Sequence, residues 1–119
     1  MPTAIILFAH GSRDPLWRRP LEAVAERIRA QAPETRVVCA YLELTEPGLV
    51  AAATALVAEG INAIRIVPMF LGVGKHARED LPVLFTGLQS AHPGVAFSLQ
   101  GAVGEDDRLV NLLAHIALN

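Results

Sequence analysis

The chain has 119 residues, of which 52% are hydrophobic and 18% charged, and a formal net charge of −2 at pH 7. This length suits one compact domain, and the apolar share excludes intrinsic disorder. The charge gives no reason to bind nucleic acid or an anionic membrane, and no apolar run reaches the roughly 18–20 residues of a membrane helix. A single cysteine, Cys39, excludes an internal disulfide and a cysteine-built zinc site. The start, Met1-Pro2-Thr3, lacks the basic region of a signal peptide, which predicts a cytoplasmic protein.

Four apolar segments alternate with four segments of helical periodicity. The predicted strands are Thr3–Ala9, Arg36–Leu42, Asn62–Phe70 and Val95–Gln100. The first helix extends from Trp17 to a stop at Pro33, and the second, capped by Thr45, begins near Pro47 and ends at Gly60. The fourth begins at about Glu105. The expected buried stripes of the first, third and fourth helices are Trp17, Leu21, Val24 and Ile28; Leu81, Leu84, Phe85 and Leu88; and Leu109, Leu112, Leu113 and Ile116.

This alternation predicts an α/β fold in which residues 1–119 form a single flavodoxin-like domain. A four-stranded parallel sheet in the order 2-1-3-4, with helices on both faces, is the simplest arrangement that buries strands 1 and 3. Ligands of such sheets bind beyond the carboxyl ends of the strands, where the strand order reverses. That point lies between strands 1 and 3, so the residues that follow these strands are the candidates for a functional site.

Two histidines and a carboxylate are expected at this edge. His10 follows strand 1, His76 lies in the flexible turn predicted after strand 3, and Glu43 follows strand 2. Imidazole and carboxylate groups suit a divalent ion such as Co²⁺, Fe²⁺, Ni²⁺ or Zn²⁺, and imidazole also suits proton transfer near neutral pH. The alternative is that each histidine only binds loop backbone. His92 and His115 lie away from the edge and are interpreted as structural.

Half of the ten lysines and arginines follow strands 1 and 3: Arg13, Arg18, Arg19, Lys75 and Arg78. A ring of such residues would attract a polyanionic ligand despite the negative total charge. The alternative for each arginine on a helix is a solvated surface position. Ser12 has an alternative as a turn cap, and Glu46 is interpreted as a solvated turn residue. Cys39 is interpreted as a small buried hydrophobic residue.

These residues lie in motifs that resemble a known family. The motifs are His10-Gly11-Ser12-Arg13, the segment Tyr41-Leu42-Glu43, the stretch Val67–His76 (VPMFLGVGKH), and Asp80-Leu81-Pro82. In this order and spacing the chain resembles the class II chelatases, the sirohydrochlorin chelatases of cobalamin and siroheme biosynthesis. The resemblance covers essentially the whole chain, including the last helix.

The resemblance implies insertion of a divalent metal ion into sirohydrochlorin, a tetrapyrrole with eight carboxylates. Cobalt and iron are the expected metals, and nickel is a further candidate. His10 and His76 match the family's metal-handling and proton-accepting histidines, and Glu43 matches an additional polar or metal-contacting residue. Substrate binding is expected at Ser12, Arg13, Gly74 and Lys75. The metal ion is a substrate, and no permanently bound cofactor is expected.

The resemblance also implies an assembly. Longer family members carry two such halves, so the chain resembles the short form, which works as a homodimer. The open sheet edge of one chain can cover one face of a planar macrocycle but cannot enclose it. We therefore expect a homodimer whose His10 and His76 clefts face the dyad, with Met69, Phe70 and Leu71 close to the interface.

Three other functions are alternatives to this one. A phosphohistidine phosphatase needs an arginine before the histidine of strand 1, where this chain has Ala9. A receiver-type signalling module needs an aspartate at the end of strand 3, where the chain reads Pro68-Met69-Phe70. A non-catalytic metal or tetrapyrrole carrier would use the same residues, and the sequence leaves this alternative open.

Overall fold

The computed structural model describes residues 2–119 and forms one four-stranded parallel sheet. Met1, the first residue of the segment predicted not to be a signal peptide, lies outside the described residues. The strands are β1 (Thr3–Ala9), β2 (Arg36–Tyr41), β3 (Ala63–Pro68) and β4 (Ala96–Leu99). The helices are α1 (Arg19–Gln31), α2 (Leu49–Ala58), α3 (Lys75–Ala91) and α4 (Asp107–Leu118), and a 3₁₀ turn at Val103–Glu105 precedes α4.

The sheet order is β2-β1-β3-β4, and every neighbouring pair is parallel. This confirms the predicted fold and strand order. The position of β1 was predicted well because this strand is buried on both faces over most of its length and therefore reads as a continuous apolar run. In β3 burial alternates, and Arg65 is exposed. Within residues 2–119 no helix is both long and apolar enough to cross a membrane.

The two faces of the sheet are packed unequally. On one face, Ile6, Phe8 and Ile66 belong to the larger core, which includes buried residues of α2 and α3. On the other face, α1 places Leu21 and Ala25 in a smaller cluster with residues of β1 and β2. The predicted α1 stripe is therefore partly wrong: Val24 is exposed, and Trp17 lies in the turn before the helix. The contact between α1 and the sheet is narrow, and it is made mainly by two residues at positions i and i+4, Leu21 and Ala25.

The amino-terminal ends of α2 and α3 also differ from prediction. Gly48, not Thr45, is the N-cap of α2. The turn after β3 is shorter than expected, because Lys75 and His76 already form the first turn of α3. Both corrections concern helix starts, where tertiary contacts compete with local capping signals.

The largest departure from prediction is α4. Its expected buried stripe is exposed, with Leu112 at 52% and Ile116 at 61%, and within the described chain α4 contains no buried residue. Its start is nevertheless well defined, because Asp106 accepts a hydrogen bond from the backbone N–H of Arg108 at 2.9 Å. Hydrogen bonds from the Arg108 side chain and backbone lower the pKa of Asp106 to about 2. The periodicity predicted the helix but not its surroundings.

Candidate active site

The first histidine stands where β1 ends. His10 is exposed, and its imidazole ring lies 4.3 Å from the ring of Phe70, centroid to centroid. Phe70 is itself buried and packs edge-on against Phe8 of β1. The backbone carbonyl of His10 accepts a hydrogen bond from the N–H of Glu43 at 3.0 Å. The core therefore supports one side of the imidazole while the other side stays open to solvent.

Gly11 allows the segments after β1 and β2 to touch. Its φ is +102°, a conformation that L side chains rarely adopt, and an added Cβ would lie 1.7 Å from the carbonyl oxygen of Glu43. Thr45 ties the same two segments together: its Oγ1 accepts from the Ser12 N–H at 3.0 Å and donates to the Ser12 carbonyl at 2.8 Å. These two residues fix the position of His10 relative to Glu43, and the sequence alone did not indicate that role.

The second histidine comes from α3. Gly74 is the N-cap in an extended conformation, and Lys75 and His76 follow in the first turn, which contains no acidic residue. Both side chains are exposed, and the Nζ of Lys75 lies 3.9 Å from Glu79. His76 thus stands on a helix end packed against the core by Ala77, which is buried.

One cavity of about 580 Å³ collects most of the predicted residues. Its walls are His10, Leu42, Glu43, Gly74, Lys75, His76, Ala77 and Asp80. Asp80, which belongs to one of the sequence motifs but was not a predicted site residue, also lines the cavity. Its spacing of four from His76, which places two residues on one helix face, is the signal that could have found it. No group of three His, Cys, Asp or Glu side chains within residues 2–119 is arranged to hold a metal ion.

The other predicted substrate-binding residues lie outside this cavity wall. Ser12 accepts a hydrogen bond from the Asp14 N–H at 3.0 Å through its hydroxyl, the turn-capping role that was its alternative. Arg13 is exposed on the same turn. Arg18 pairs with Glu22 at 4.0 Å, and Arg78 donates to the Val73 carbonyl at 2.8 Å. Among the five basic residues of the expected ring, Lys75 alone lines the cavity.

A separate groove between α1 and β2 contains the one cysteine. Cys39 is half-buried, and burial raises the pKa of its thiol. Burial likewise raises the pKa of Tyr41 to about 12. Both groups therefore stay protonated at neutral pH, and neither lines the histidine cavity.

A comparison with sequence models of protein families identifies the family of this chain. A sequence model of the CbiX family matches residues 4–117, nearly the whole chain. The chain belongs to the CbiX family. The resemblance inferred from the HGSR and PMFLGVGKH motifs is thereby confirmed.

Curated relatives of this CbiX chain carry chelatase names. It is 34% identical over 79 residues to the sirohydrochlorin cobaltochelatase of Methanopyrus kandleri, an alignment covering 66% of this chain and 55% of the relative. It is 30% identical over 115 residues to the sirohydrochlorin ferrochelatase of Bacillus subtilis, covering 97% of this chain and 44% of the relative. The chain therefore spans about half the length of these relatives.

Solved structures agree with the fold. A CbiX protein of Marinobacter aquaeolei VT8, named for cobalamin (vitamin B12) biosynthesis, superposes with a TM-score of 0.82 at 33% identity, covering 98% of this chain and 94% of that one. The sirohydrochlorin chelatase SirB of Bacillus subtilis subspecies spizizenii, solved in complex with cobalt, gives a TM-score of 0.80 at 29% identity, covering 97% of this chain and 49% of that one.

Proposed function

We propose that this chain is a sirohydrochlorin chelatase, which inserts a divalent metal ion into a polycarboxylate tetrapyrrole. Cobalt and iron are the first candidates, from the names of its relatives, and nickel is the third, because it uses the same ligand types. The observation that carries the proposal is the cavity that joins His10, Glu43, Lys75 and His76 at the carboxyl edge of the sheet.

The chemistry follows from what insertion requires. A divalent ion that enters the macrocycle replaces two pyrrole N–H protons, so bases are needed near the centre of the ring. Imidazole both binds such ions and accepts protons near neutral pH. In the proposed mechanism His10 and His76 hold the incoming metal substrate loosely and take up the protons, and Glu43 orients an imidazole or balances charge.

The first turn of α3 suits the substrate's carboxylates. A helix N-terminus carries free N–H groups and a partial positive charge, and here Lys75 adds a full one with no acidic residue in that turn. An added Cβ on Gly74 would meet no atom within 4 Å, so glycine keeps this wall of the cavity open without being required by packing. Ser12 and Arg13, in the turn after β1, are proposed to bind the outer carboxylates.

We further propose a cytoplasmic homodimer, as the sequence predicted. A cavity open along one sheet edge leaves much of a planar macrocycle exposed, and a second copy related by a dyad supplies the missing wall. Leu71 is 69% exposed beside the site, which supports its place near an interface. Met69 is half-buried, whereas Phe70 packs into its own core against His10.

Metal insertion into sirohydrochlorin, followed by visible absorbance, tests the proposal. The assay is run separately with Co²⁺, Fe²⁺ and Ni²⁺, with tetrapyrrole in large excess over protein and with a protein-free reaction as the blank. Many turnovers per chain with at least one metal are expected. Binding that stops at one equivalent per site would instead identify a metal or tetrapyrrole carrier.

A further inference from the structure

The segment after β2 reverses direction at a leucine. Leu44 has a φ of +64°, and among the non-glycine residues at positions 2–119 it alone has a positive φ. The Thr45 N–H donates to the Glu43 carbonyl at 2.8 Å, which closes a three-residue turn around Leu44. In the left-handed region the Cβ of an L residue crowds the following carbonyl oxygen, and glycine, asparagine or aspartate is usual there. The turn therefore carries a local strain that glycine would remove.

Attachments on both sides of Leu44 require this reversal. The Glu43 N–H donates to the His10 carbonyl at 3.0 Å, which keeps Glu43 aligned with the end of β1. Two residues later, the Thr45 hydroxyl donates to the Ser12 carbonyl at 2.8 Å. Because one residue separates the two attachments, the backbone must reverse within it. This accounts for the conformation at position 44, but not for a leucine side chain there.

The core of the folded chain does not bury the Leu44 side chain. Leu44 is 54% exposed and belongs to neither of the two hydrophobic clusters. Leu42, two residues earlier, is partly buried and packs against the larger core. Burial therefore does not offset the strain at Leu44, and its side chain is free to contact a ligand. Strained backbone of this kind occurs most often at functional sites.

Leu44 lies beside the cavity of the candidate active site. It directly follows Glu43, which lines that cavity. Most of the cavity wall is polar, made of two imidazoles, two carboxyl groups and the ammonium group of Lys75. Such a wall suits a metal ion and carboxylates, whereas the flat faces of a conjugated macrocycle bind best against apolar side chains. The residues at the rim of the cavity have to supply that apolar contact.

We propose that Leu44 packs against the face of the tetrapyrrole ring and is a substrate-binding residue of this site. This inference rests on the proposed chelatase function and adds a residue outside the predicted site. The left-handed turn holds an apolar side chain in solvent, and a bound ring would remove it from water. Consecutive Cα atoms are about 3.8 Å apart, so a ring held by Leu44 would lie next to Glu43. Leucine at this position thus serves binding instead of folding.

Binding of sirohydrochlorin without any metal ion, followed by visible absorbance, tests this contact separately from insertion. Leu44→Ala and Leu44→Gly should each raise the dissociation constant about tenfold, because both remove the apolar side chain. The KM for the tetrapyrrole should rise equally, with kcat nearly unchanged. Leu44→Met should bind within about twofold of the wild-type chain, because methionine keeps the apolar volume. Val50→Ala is the matched control, since Val50 is also 54% exposed but lies on α2 outside the cavity wall, and it should bind normally.

Denaturant unfolding of the same variants tests the strain. Leu44→Gly should unfold at a higher denaturant concentration than Leu44→Ala, because glycine adopts the left-handed conformation without strain. A lower midpoint for Leu44→Gly would contradict the strain on which the inference depends. Light scattering should give every variant the mass of the wild-type protein, and a changed mass would assign the side chain to a contact between subunits and overturn the inference.

The affinities decide between a side-chain contact and a backbone effect. Wild-type affinity in Leu44→Ala, or a loss confined to Leu44→Gly, would overturn the ring contact. A wild-type chain that binds sirohydrochlorin but inserts no metal would overturn the proposed function alone, and the variants would still test the contact. A wild-type chain that binds no sirohydrochlorin would overturn both.

Discussion

At the scale of single residues, the site depends on contacts between segments that are distant in sequence. The His10 ring rests on Phe70, and the His10 carbonyl accepts from Glu43, while Thr45 holds Ser12 across 33 positions of sequence. None of these contacts is local. The exposed imidazoles can therefore change without disturbing the core, whereas the residues that hold the loops together cannot.

We expect His10→Ala and His76→Ala each to lower the rate of metal insertion by about two orders of magnitude or more, as for a positioned acid–base group. Thermal unfolding should change little, because both side chains are exposed. His92→Ala is the control, since His92 caps the opposite end of α3. Near-normal insertion rates in both variants would contradict the assigned roles.

Gly11→Ala should destabilise the fold by about 2 kcal/mol or more, because it adds both a left-handed backbone strain and a clash with the Glu43 carbonyl. Gly87→Ala is the matched control: Gly87 lies in α3 with nothing within 4 Å of an added Cβ. The control should stabilise by about 0.5–1 kcal/mol. Denaturant unfolding measures both, and equal midpoints would show that the Gly11 turn relaxes freely.

At the scale of elements, the first turn of α3 brings positive charge to the cavity. Its N-terminal N–H groups and Lys75 act together, and no acidic residue in that turn opposes them. A cation at a helix N-terminus is unfavourable to the helix in isolation. A bound anion reverses that cost, so the turn is better suited to an anionic ligand than to an empty surface.

Lys75→Ala and Arg13→Ala should raise KM for the tetrapyrrole more than they lower kcat. The loss should shrink at high ionic strength, because exposed charges are screened over about 8–10 Å near physiological salt. Arg36→Ala is the control: Arg36 pairs with Glu59 at 3.1 Å and starts β2, at the other edge of the sheet. A loss of the same size at low and high salt would argue against a charge–charge role.

At the scale of the whole molecule, some of the apolar side chains of one chain are not buried in its own core. The larger core lies between the sheet and α2 and α3, and the smaller one lies under α1. Apolar side chains of α4 remain exposed, with Leu112 at 52% and Ile116 at 61%. In the proposed homodimer a second chain would cover part of this surface, and dimerisation would then stabilise the folded chain.

Because the proposed site needs a second wall, specific activity should fall when the protein is diluted below its dimer dissociation constant. Activity per chain is measured from micromolar to nanomolar concentrations alongside the sedimentation coefficient, and the two curves should coincide. A monomer that inserts metal at the full rate would show that one subunit encloses the substrate by itself.

Much of the fold was predictable, and the reason differs between elements. The bounds of β1 were predicted to the residue because a strand that is buried on both faces has apolar residues at nearly every position. The alternation of strands and helices then left few topologies, and the order 2-1-3-4 followed from burying the most apolar strands centrally. The meeting of His10 and His76 at one edge was predictable from the same topology.

The sequence by itself determined the order of the elements, the sheet and the edge that bears the candidate site, because hydrophobic periodicity and parallel connection rules are local. Only the tertiary structure decided that Thr45 binds Ser12 instead of capping α2, that Asp80 lines the cavity, and that α4 is uncovered. Periodicity shows that a helix has an apolar face. What covers that face depends on contacts between distant parts of the chain, or between chains, which no local pattern records.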